Sequence, residues 1–172
     1  MSVADEFVQA DERYAATFTK GDLSAPPRRY VAVITCMDAR LDPARFLGLE
    51  EGDAHVIRNA GGRAADAIRS LVISQQLLGT REVVVVHHTD CGMLAFTDEQ
   101  LHQKIHDDLG VHTDLEFLPF SNLEQSVRDD VATLRDSPLL LKDAPVRGFI
   151  YDVKTGQLHE VRESGVVSKI RH

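Results

Sequence analysis

The stretch AIRSLVISQQLLGTREVVVVHHTDCGM, residues 67–93, contains a helix pattern followed by a strand pattern. The predicted helix ends at Gly79, a residue that suits a left-handed helix cap. The VVVV run at 83–86 is typical of a strand buried on both faces, as in a parallel sheet covered by helices. That strand ends abruptly in the polar sequence HHTDC. A helix feeding into such a strand predicts an α/β fold.

Other segments of the chain extend this pattern. YVAVIT at residues 30–35 and AHVIR at residues 54–58 are predicted strands, and SNLEQSVRDDVATLRDSP at 121–138 is a predicted helix. That helix has Ser121 and Glu124 at capping-box spacing. VRGFIYDV and LHEVR, joined around KTGQ, predict a terminal hairpin. We therefore expect an α/β fold with a mostly parallel central sheet flanked by helices and a C-terminal hairpin strand.

The N-terminal residues form an amphipathic pattern of their own. Over residues 3–18, apolar side chains recur at helical spacing, namely Val3, Phe7, Ala10, Tyr14 and Phe18. The tandem prolines in GDLSAPPRR then interrupt the helix. We expect a single domain, residues 1–172, made of a helical arm (1–25) and an α/β body (26–172). The pattern alone leaves open whether the arm folds back on its own subunit or packs against a second copy of the chain.

Composition limits the classes of function. The net charge of -8, from 19 basic and 27 acidic residues, disfavours non-specific binding to nucleic acid or to an anionic membrane. The longest apolar runs are far too short to span a bilayer. The acidic N-terminal segment has neither the basic start nor the apolar core of a signal peptide, so a cytoplasmic location is expected. In that compartment the two cysteines are expected to be thiols or metal ligands rather than a disulfide.

Each of the two cysteines stands where a predicted buried strand ends. Cys36 lies in VAVITCMDARLDPARF, residues 31–46, and Cys91 follows His88 at H-x-x-C spacing. Side chains at the carboxyl ends of neighbouring parallel strands converge in a crevice. Two thiolates and one imidazole suit zinc, and three protein ligands leave the fourth position open, as in catalytic zinc sites. Cys36, His88 and Cys91 are therefore candidate zinc ligands.

Spacing alone leaves other roles open for these residues. A buried cysteine is most often a small apolar filler, and an H-x-x-C pair by itself is a weak signal. A nucleophilic Cys36 followed by Arg40 is disfavoured, because no glycine-rich phosphate cradle lies between them. Without the adjacent metal motif, Asp38 and Arg40 would be assigned to a surface salt bridge at a strand end.

Four motifs stand in order along the chain: CMDARLD, HVIRNAGG, the 67–93 stretch and RGFIYDVKTGQLHEV. Together they resemble the β-class carbonic anhydrases, especially the shorter branch found in archaea and Gram-positive bacteria, over about residues 30–162. The resemblance implies reversible hydration of carbon dioxide to bicarbonate and a proton, with one zinc per chain. It implies zinc ligation by Cys36, His88 and Cys91, with Asp38 and Arg40 as the neighbouring catalytic dyad. It also implies a homodimer or higher homo-oligomer in which the arm packs across the neighbouring subunit.

The same resemblance implies roles for the dyad. Zinc-bound hydroxide would attack carbon dioxide, and Asp38 would either orient that hydroxide or move onto the fourth zinc position and close the site. Arg40 would decide between the two by holding Asp38 in a bidentate pair. Because two thiolates cancel the formal charge of zinc, hydration should be better on the alkaline side.

Two other functions stay open at this point. One is hydrolysis of carbon disulfide or carbonyl sulfide on the same scaffold, since ligand identity cannot separate these substrates. The other is a catalytically silent zinc-binding or bicarbonate-sensing protein, against which the presence of Asp38 and Arg40 argues.

Other polar residues receive structural interpretations. His87 should be packed rather than a ligand, because successive side chains on a strand point to opposite faces. His102 and His106 lie four apart on a predicted helix among charged residues, so a solvated surface is expected for them. RNAGG at 58–62 could present backbone amides as part of an anion-binding lip.

Overall fold

The computed structural model describes residues 2–162 of the chain. Five strands form one sheet in the order β2-β1-β3-β4-β5, in which the first four are mutually parallel and β5 runs antiparallel to β4. The strands are β1 (Val31–Cys36), β2 (Ala54–Asn59), β3 (Glu82–His88), β4 (Val146–Tyr151) and β5 (Leu158–Val161). The predicted mostly parallel sheet and the terminal hairpin are confirmed. Describing residues 1–172 as one domain stays a prediction.

Five helices accompany the sheet in the described residues: α1 (Val3–Ala15), α2 (Pro43–Phe46), α3 (Ile68–Leu78), α4 (Asp98–Leu109) and α5 (Leu123–Asp136). Gly79 caps α3 with a left-handed conformation (φ 79°), as predicted. The predicted cap of α5 is wrong by one residue, since the side chain of Asn122 rather than Ser121 accepts the backbone N–H of Gln125. Among residues 2–162, we find no helix with both the length and the apolar character that a membrane span requires.

The main core lies on one face of the sheet. Ala32 and Ile34 of β1 pair in register with Val83 and Val85 of β3, so their side chains share a face. α3 and α5 both cover that face, with the buried side chains Leu71, Val127, Val131 and Leu134. A second apolar cluster lies at the carboxyl end of the sheet and includes Cys36, Leu41, Cys91 and Met93. The candidate ligands therefore sit at the edge of the packed interior, where rigid strands hold them.

The strand order places the candidate site. The chain runs from β1 to β2 on one side and then returns to β3 on the other side of β1. Such a reversal is a topological switch point, and ligands of open α/β sheets bind in the crevice at the carboxyl ends of the two strands that flank it. Cys36 ends β1 and His88 ends β3. The predicted ligands on the two strands thus meet in the crevice at the switch point.

α1 stands apart from the core. It begins at the N-cap Ser2, whose side chain forms a capping box with Asp5. It ends three residues before Phe18, so the apolar pattern in the sequence extends beyond the end of the helix. None of its residues is buried, and Phe7 is 67% exposed. The contacts that tie the arm to the body include the Tyr14 hydroxyl, which donates to Glu51 over 2.6 Å, and an ion pair between Lys20 and Glu51. The apolar stripe of the arm is therefore uncovered in a single chain.

Candidate metal centre

Three side chains, from the ends of β1 and β3 and from the turn after β3, converge at the switch point. The Sγ atoms of Cys36 and Cys91 and a ring nitrogen of His88 all lie within 4.8 Å of one another, and all three residues are buried. Cys36 comes from the end of β1, whereas His88 and Cys91 come from the end of β3 and the turn after it. Asp90 permits that turn by adopting a left-handed conformation (φ 57°), which aspartate tolerates better than most residues. The structure therefore brings all three predicted ligands together.

The His88 ring shows that this cluster fits a metal ion. Its Nδ1 lies 2.9 Å from the carbonyl oxygen of Thr89, an acceptor, so Nδ1 carries the proton and Nε2 presents a lone pair. Nε2 is buried and has no hydrogen-bond partner among residues 2–162. A buried lone pair without a partner costs free energy, and a cation at this position would satisfy it. Fixing a ligating histidine through its other nitrogen is also how protein metal sites orient imidazoles.

The two cysteines are electronically unequal in the absence of a cation. A hydrogen bond from the Cys91 thiol lowers the pKa of Cys36, and the backbone N–H groups of Asp38 and Gly61 lower it further. The same bond to Cys36, together with burial, raises the pKa of Cys91. Cys36 therefore gives up its proton more readily than Cys91, which keeps its own. A divalent cation stabilises both thiolates and displaces that proton.

Asp38 and Arg40 form a bidentate pair beside the cluster. Arg40 Nε donates to Asp38 Oδ1 over 3.0 Å and Nη2 donates to Oδ2 over 2.8 Å. These bonds hold the pKa of Asp38 well below its usual range, so the carboxylate stays ionised. Asp38 Oδ2 lies 3.8 Å from His88 Nε2, which places the carboxylate next to the ligand cluster while it remains bound to Arg40.

Arg40 also reaches the second ligand loop. Its Nη1 donates to Asp90 Oδ2 over 2.8 Å and its Nη2 donates to the Asp90 carbonyl over 2.9 Å. One guanidinium thus bridges the loop after β1 and the turn that holds His88 and Cys91. Any movement of Asp38 toward the cluster must break bonds to a group fixed from both sides.

A small pocket opens over the cluster. Its volume is about 200 Å³, and it is lined by the two cysteines, Asp38 and a mainly apolar set that includes Ala60, Gly61 and Met93. Gly61 has a positive φ of 79°, and a Cβ there would lie 2.8 Å from Met93 Cγ. A glycine is therefore required for both conformation and space. The pocket suits a small, weakly polar molecule that approaches the ligands.

The comparisons with known proteins agree with this geometry. A family model described as carbonic anhydrase matches residues 31–158. The chain is 46% identical over 162 residues to β-carbonic anhydrase 1 of Mycobacterium tuberculosis, covering 94% of this chain and 99% of that protein. The chain belongs to the β-carbonic anhydrase family. The solved carbonic anhydrase of Streptococcus mutans superposes with a TM-score of 0.90 at 49% identity, covering 94% of this chain and 99% of the other.

A second kind of relative shares this family. The carbon disulfide hydrolase of Acidianus sp. is 33% identical over 183 residues, covering 87% of this chain and 84% of that protein. The predictions of the family, of the α/β fold class and of an enzyme of the carbonic anhydrase class are confirmed. β-Carbonic anhydrases are zinc enzymes, and zinc suits the Cys36, His88 and Cys91 cluster.

His87, His102 and His106 of this β-carbonic anhydrase have partners outside the ligand cluster. His87 is fully buried and bonded to Ser126 and Asp130 of α5, which confirms that it is packed. The solvated surface expected for His102 and His106 is wrong, because both are partly buried. His102 Nε2 lies 2.8 Å from the carbonyl of Leu115, and the His106 ring stacks on His112 with 4.1 Å between centroids. Both contacts fasten α4 to the segment that follows it.

Sequence reasoning missed some polar residues at this site. Asp90 bonds to Arg40, and Arg58 donates to the carbonyls of Cys36 and Asp38 over 3.0 and 2.7 Å. Asp130 is buried beneath β3. The signal for Asp130 was its place one residue before Val131, within the apolar stripe of α5, where a carboxylate needs a partner. Nothing local marks Arg58, whose partners lie about twenty residues away in sequence.

Proposed function

We propose that the chain hydrates carbon dioxide reversibly to bicarbonate and a proton, with zinc held by Cys36, His88 and Cys91. One observation carries this proposal above the others. The buried, unpartnered Nε2 of His88 faces two cysteine sulfurs at a topological switch point. Three ligands of this type form a soft set and leave one position for a small molecule, as catalytic zinc requires. When bound there, zinc would lower the pKa of a coordinated water and so supply hydroxide near neutral pH.

The residues around the cluster would position the reactants. The Thr89 carbonyl keeps His88 in the tautomer that ligates through Nε2. The apolar wall formed by Ala60, Gly61 and Met93 limits the pocket to a small substrate and excludes bulk water from one side. Asp38, ionised and fixed by Arg40, would accept a hydrogen bond from the nucleophile. That bond would orient the lone pair of the nucleophile toward carbon dioxide.

Arg40 would also act as a gate. A carboxylate freed from Arg40 has only a short distance to move before it reaches the ligand cluster, since Oδ2 already lies 3.8 Å from His88 Nε2. The bonds from Arg40 to Asp38 and Asp90 oppose that movement. The pair therefore supports an open site when formed and a closed site when broken.

Carbon disulfide hydrolysis is the second candidate. It is favoured by one finding, the 33% identity to the carbon disulfide hydrolase of Acidianus sp.. The ligand set does not separate the substrates, because carbon disulfide is also a small linear molecule that hydroxide attacks at carbon. We favour carbon dioxide because the identity to the carbonic anhydrase of Mycobacterium tuberculosis is higher, at 46% over 94% of this chain.

We also propose that the chain works as a homodimer or higher homo-oligomer. The support is the uncovered stripe on the arm, where Val3, Phe7 and Val8 are each at least 60% exposed. An apolar stripe of this kind marks a contact surface, and exchange of arms between two copies would bury both stripes in a two-fold contact. The cytoplasmic location stays a prediction.

A stopped-flow assay of carbon dioxide hydration, with metal analysis of the same sample, tests the proposal. We expect about one zinc per chain, and hydration that is abolished by chelation and restored by zinc. A parallel assay of sulfide release from carbon disulfide separates the two candidate substrates. A zinc-loaded protein that releases sulfide but does not hydrate carbon dioxide would overturn the first proposal in favour of the second.

A further inference from the structure

Asp130 lies in the middle of α5, far from the metal ligands in sequence, and is 2% exposed. Three groups approach its carboxylate. His87 Nε2 lies 3.0 Å and the backbone nitrogen of Ala64 lies 3.1 Å from Oδ2, and Arg63 Nη2 lies 3.2 Å from Oδ1. A carboxylate buried this deeply is tolerated only when donors surround it. Asp130 therefore fixes the relative position of α5, the end of β3 and the segment around Ala64.

Its partners are held from their other sides. His87 Nδ1 lies 2.8 Å from Ser126 Oγ, and its Nε2 also lies 3.2 Å from the carbonyl oxygen of Gly62. The Phe120 ring stacks on His87, with 5.5 Å between centroids, and the Arg63 guanidinium lies over the same ring at 5.4 Å. The ring shields both groups from solvent, so the polar contacts beneath it act in a low-dielectric environment where they are strong.

Two contacts connect this network to the metal ligands. His87 immediately precedes His88, so a fixed His87 fixes the end of β3. A Cβ on Gly62 would lie 2.9 Å from the Thr35 carbonyl carbon and 3.0 Å from the Cys36 nitrogen, so the glycine segment rests directly on the ligand backbone. The network thus reaches one ligand through the strand and the other through the glycine segment.

We infer that Asp130 is a positioning residue that sets both the orientation of His88 and the position of the glycine segment against the backbone of Cys36. The inference rests on the proposed metal site. Outer partners that fix the orientation or the backbone of a ligating residue commonly change metal affinity. Asp130 therefore influences how strongly the cluster donates to zinc, without touching the ion.

The test compares Asp130→Asn with Asp129→Asn in the full chain. The two substitutions remove the same charge from adjacent positions of α5, but Asp129 is exposed, and within residues 2–162 its side chain bonds only to Gln125. Zinc affinity is measured by competition with a chelator, and the sulfur-to-cobalt charge-transfer band is recorded after cobalt(II) substitution. Thermal unfolding is followed in parallel. A purely structural role would lower the melting temperature without moving the band.

For Asp130→Asn we expect about 10- to 100-fold weaker zinc binding and a displaced charge-transfer band, with Asp129→Asn like the parent. A folded Asp130→Asn with parental affinity and a parental band overturns the inference, whatever its melting temperature. If Asp130→Asn does not fold, Ser126→Ala decides, because it removes the Oγ partner of His87 and otherwise only the bond that Oγ donates to the Leu123 carbonyl within the same helix. We then expect a smaller change in the same direction, and parental values overturn the inference. A parent protein that binds no zinc would refute the metal site itself, which is a distinguishable result.

Discussion

The candidate metal centre and the N-terminal arm differ in how far a single chain provides partners for their side chains. At the metal centre, Asp38 and Arg40 are bonded to each other and Arg40 to Asp90, all within the same chain. Along the arm, Phe7 and Val8 are more than 60% exposed and α1 buries none of its residues. The difference teaches that the residues of the candidate site are connected within one chain's sheet, whereas that chain leaves the apolar side chains of its arm uncovered.

Removing a ligand should break the first half of this comparison with the largest effect. Loss of an outer partner typically costs about 10- to 100-fold in metal affinity, so Cys36→Ala, His88→Ala and Cys91→Ala should each cost more and lose most of the zinc. Metal analysis after gel filtration checks this, with the circular dichroism spectrum as the control for folding. Full zinc occupancy in all three variants would contradict the ligand assignment.

Arg40→Ala should keep its zinc but lose about 100-fold in hydration rate, because a freed Asp38 loses its orientation or closes onto the cluster. Arg45→Ala is the matched control, since Arg45 lies in the same segment, its side chain is 89% exposed, and its one ion pair in the described part of the chain is with nearby Asp42. Stopped-flow rates and metal content are measured for both. Parental activity in Arg40→Ala would refute the gating role.

Deleting residues 1–24 should break the second half of the comparison. If exchanged arms hold the dimer, the dissociation constant should rise at least about tenfold, which corresponds to roughly 1.4 kcal/mol. Phe7→Ser should act in the same direction, and Asp11→Ser on the same helix should not. Analytical ultracentrifugation measures all four proteins. A parent that is monomeric at micromolar concentration would end the dimer proposal, and an unaffected truncation would reject the arm's role.

The smallest effect concerns the link between arm and body. Hydrogen bonds from Lys20 and then Tyr14 lower the pKa of Glu51. A carboxylate whose pKa is lower in the folded than in the unfolded protein stabilises the folded state at pH values above its unfolded pKa. That contribution is lost as the pH falls through the pKa of the folded state. Glu51→Gln should therefore increase the rate of amide hydrogen exchange in α1 at pH 7. In acid, the exchange rates of the variant and the parent should become equal. Glu50→Gln is the control, because Glu50 pairs with exposed Arg28. A difference in exchange rate between Glu51→Gln and the parent that persists in acid would show that the ionised Glu51 carboxylate is not its cause.

The sequence allowed the sheet and the ligand cluster to be predicted for the same reason. Apolar runs that stop at Cys36 and His88 mark both the strands and the places where side chains converge. Helix ends were less predictable, since Ser121 and Asn122 are both good caps and only packing selects between them. Asp130 and Arg58 were missed because their partners come from distant segments, and a periodicity pattern shows the face of a residue but not its neighbours.

The pairing of β1 with β3 also has a consequence for the order of folding. Cys36 and His88 are roughly fifty residues apart in sequence, with β2 and α3 between them along the chain. The two residues meet only when β1 and β3 pair. Closing a loop of that length costs entropy before any contact repays it, so such pairing is slow compared with local structure. In a zinc finger, closely spaced ligands let the ion organise the chain. If the proposed metal site forms, the sheet must assemble first here, and metal capture is a late step in a chain that is already folded.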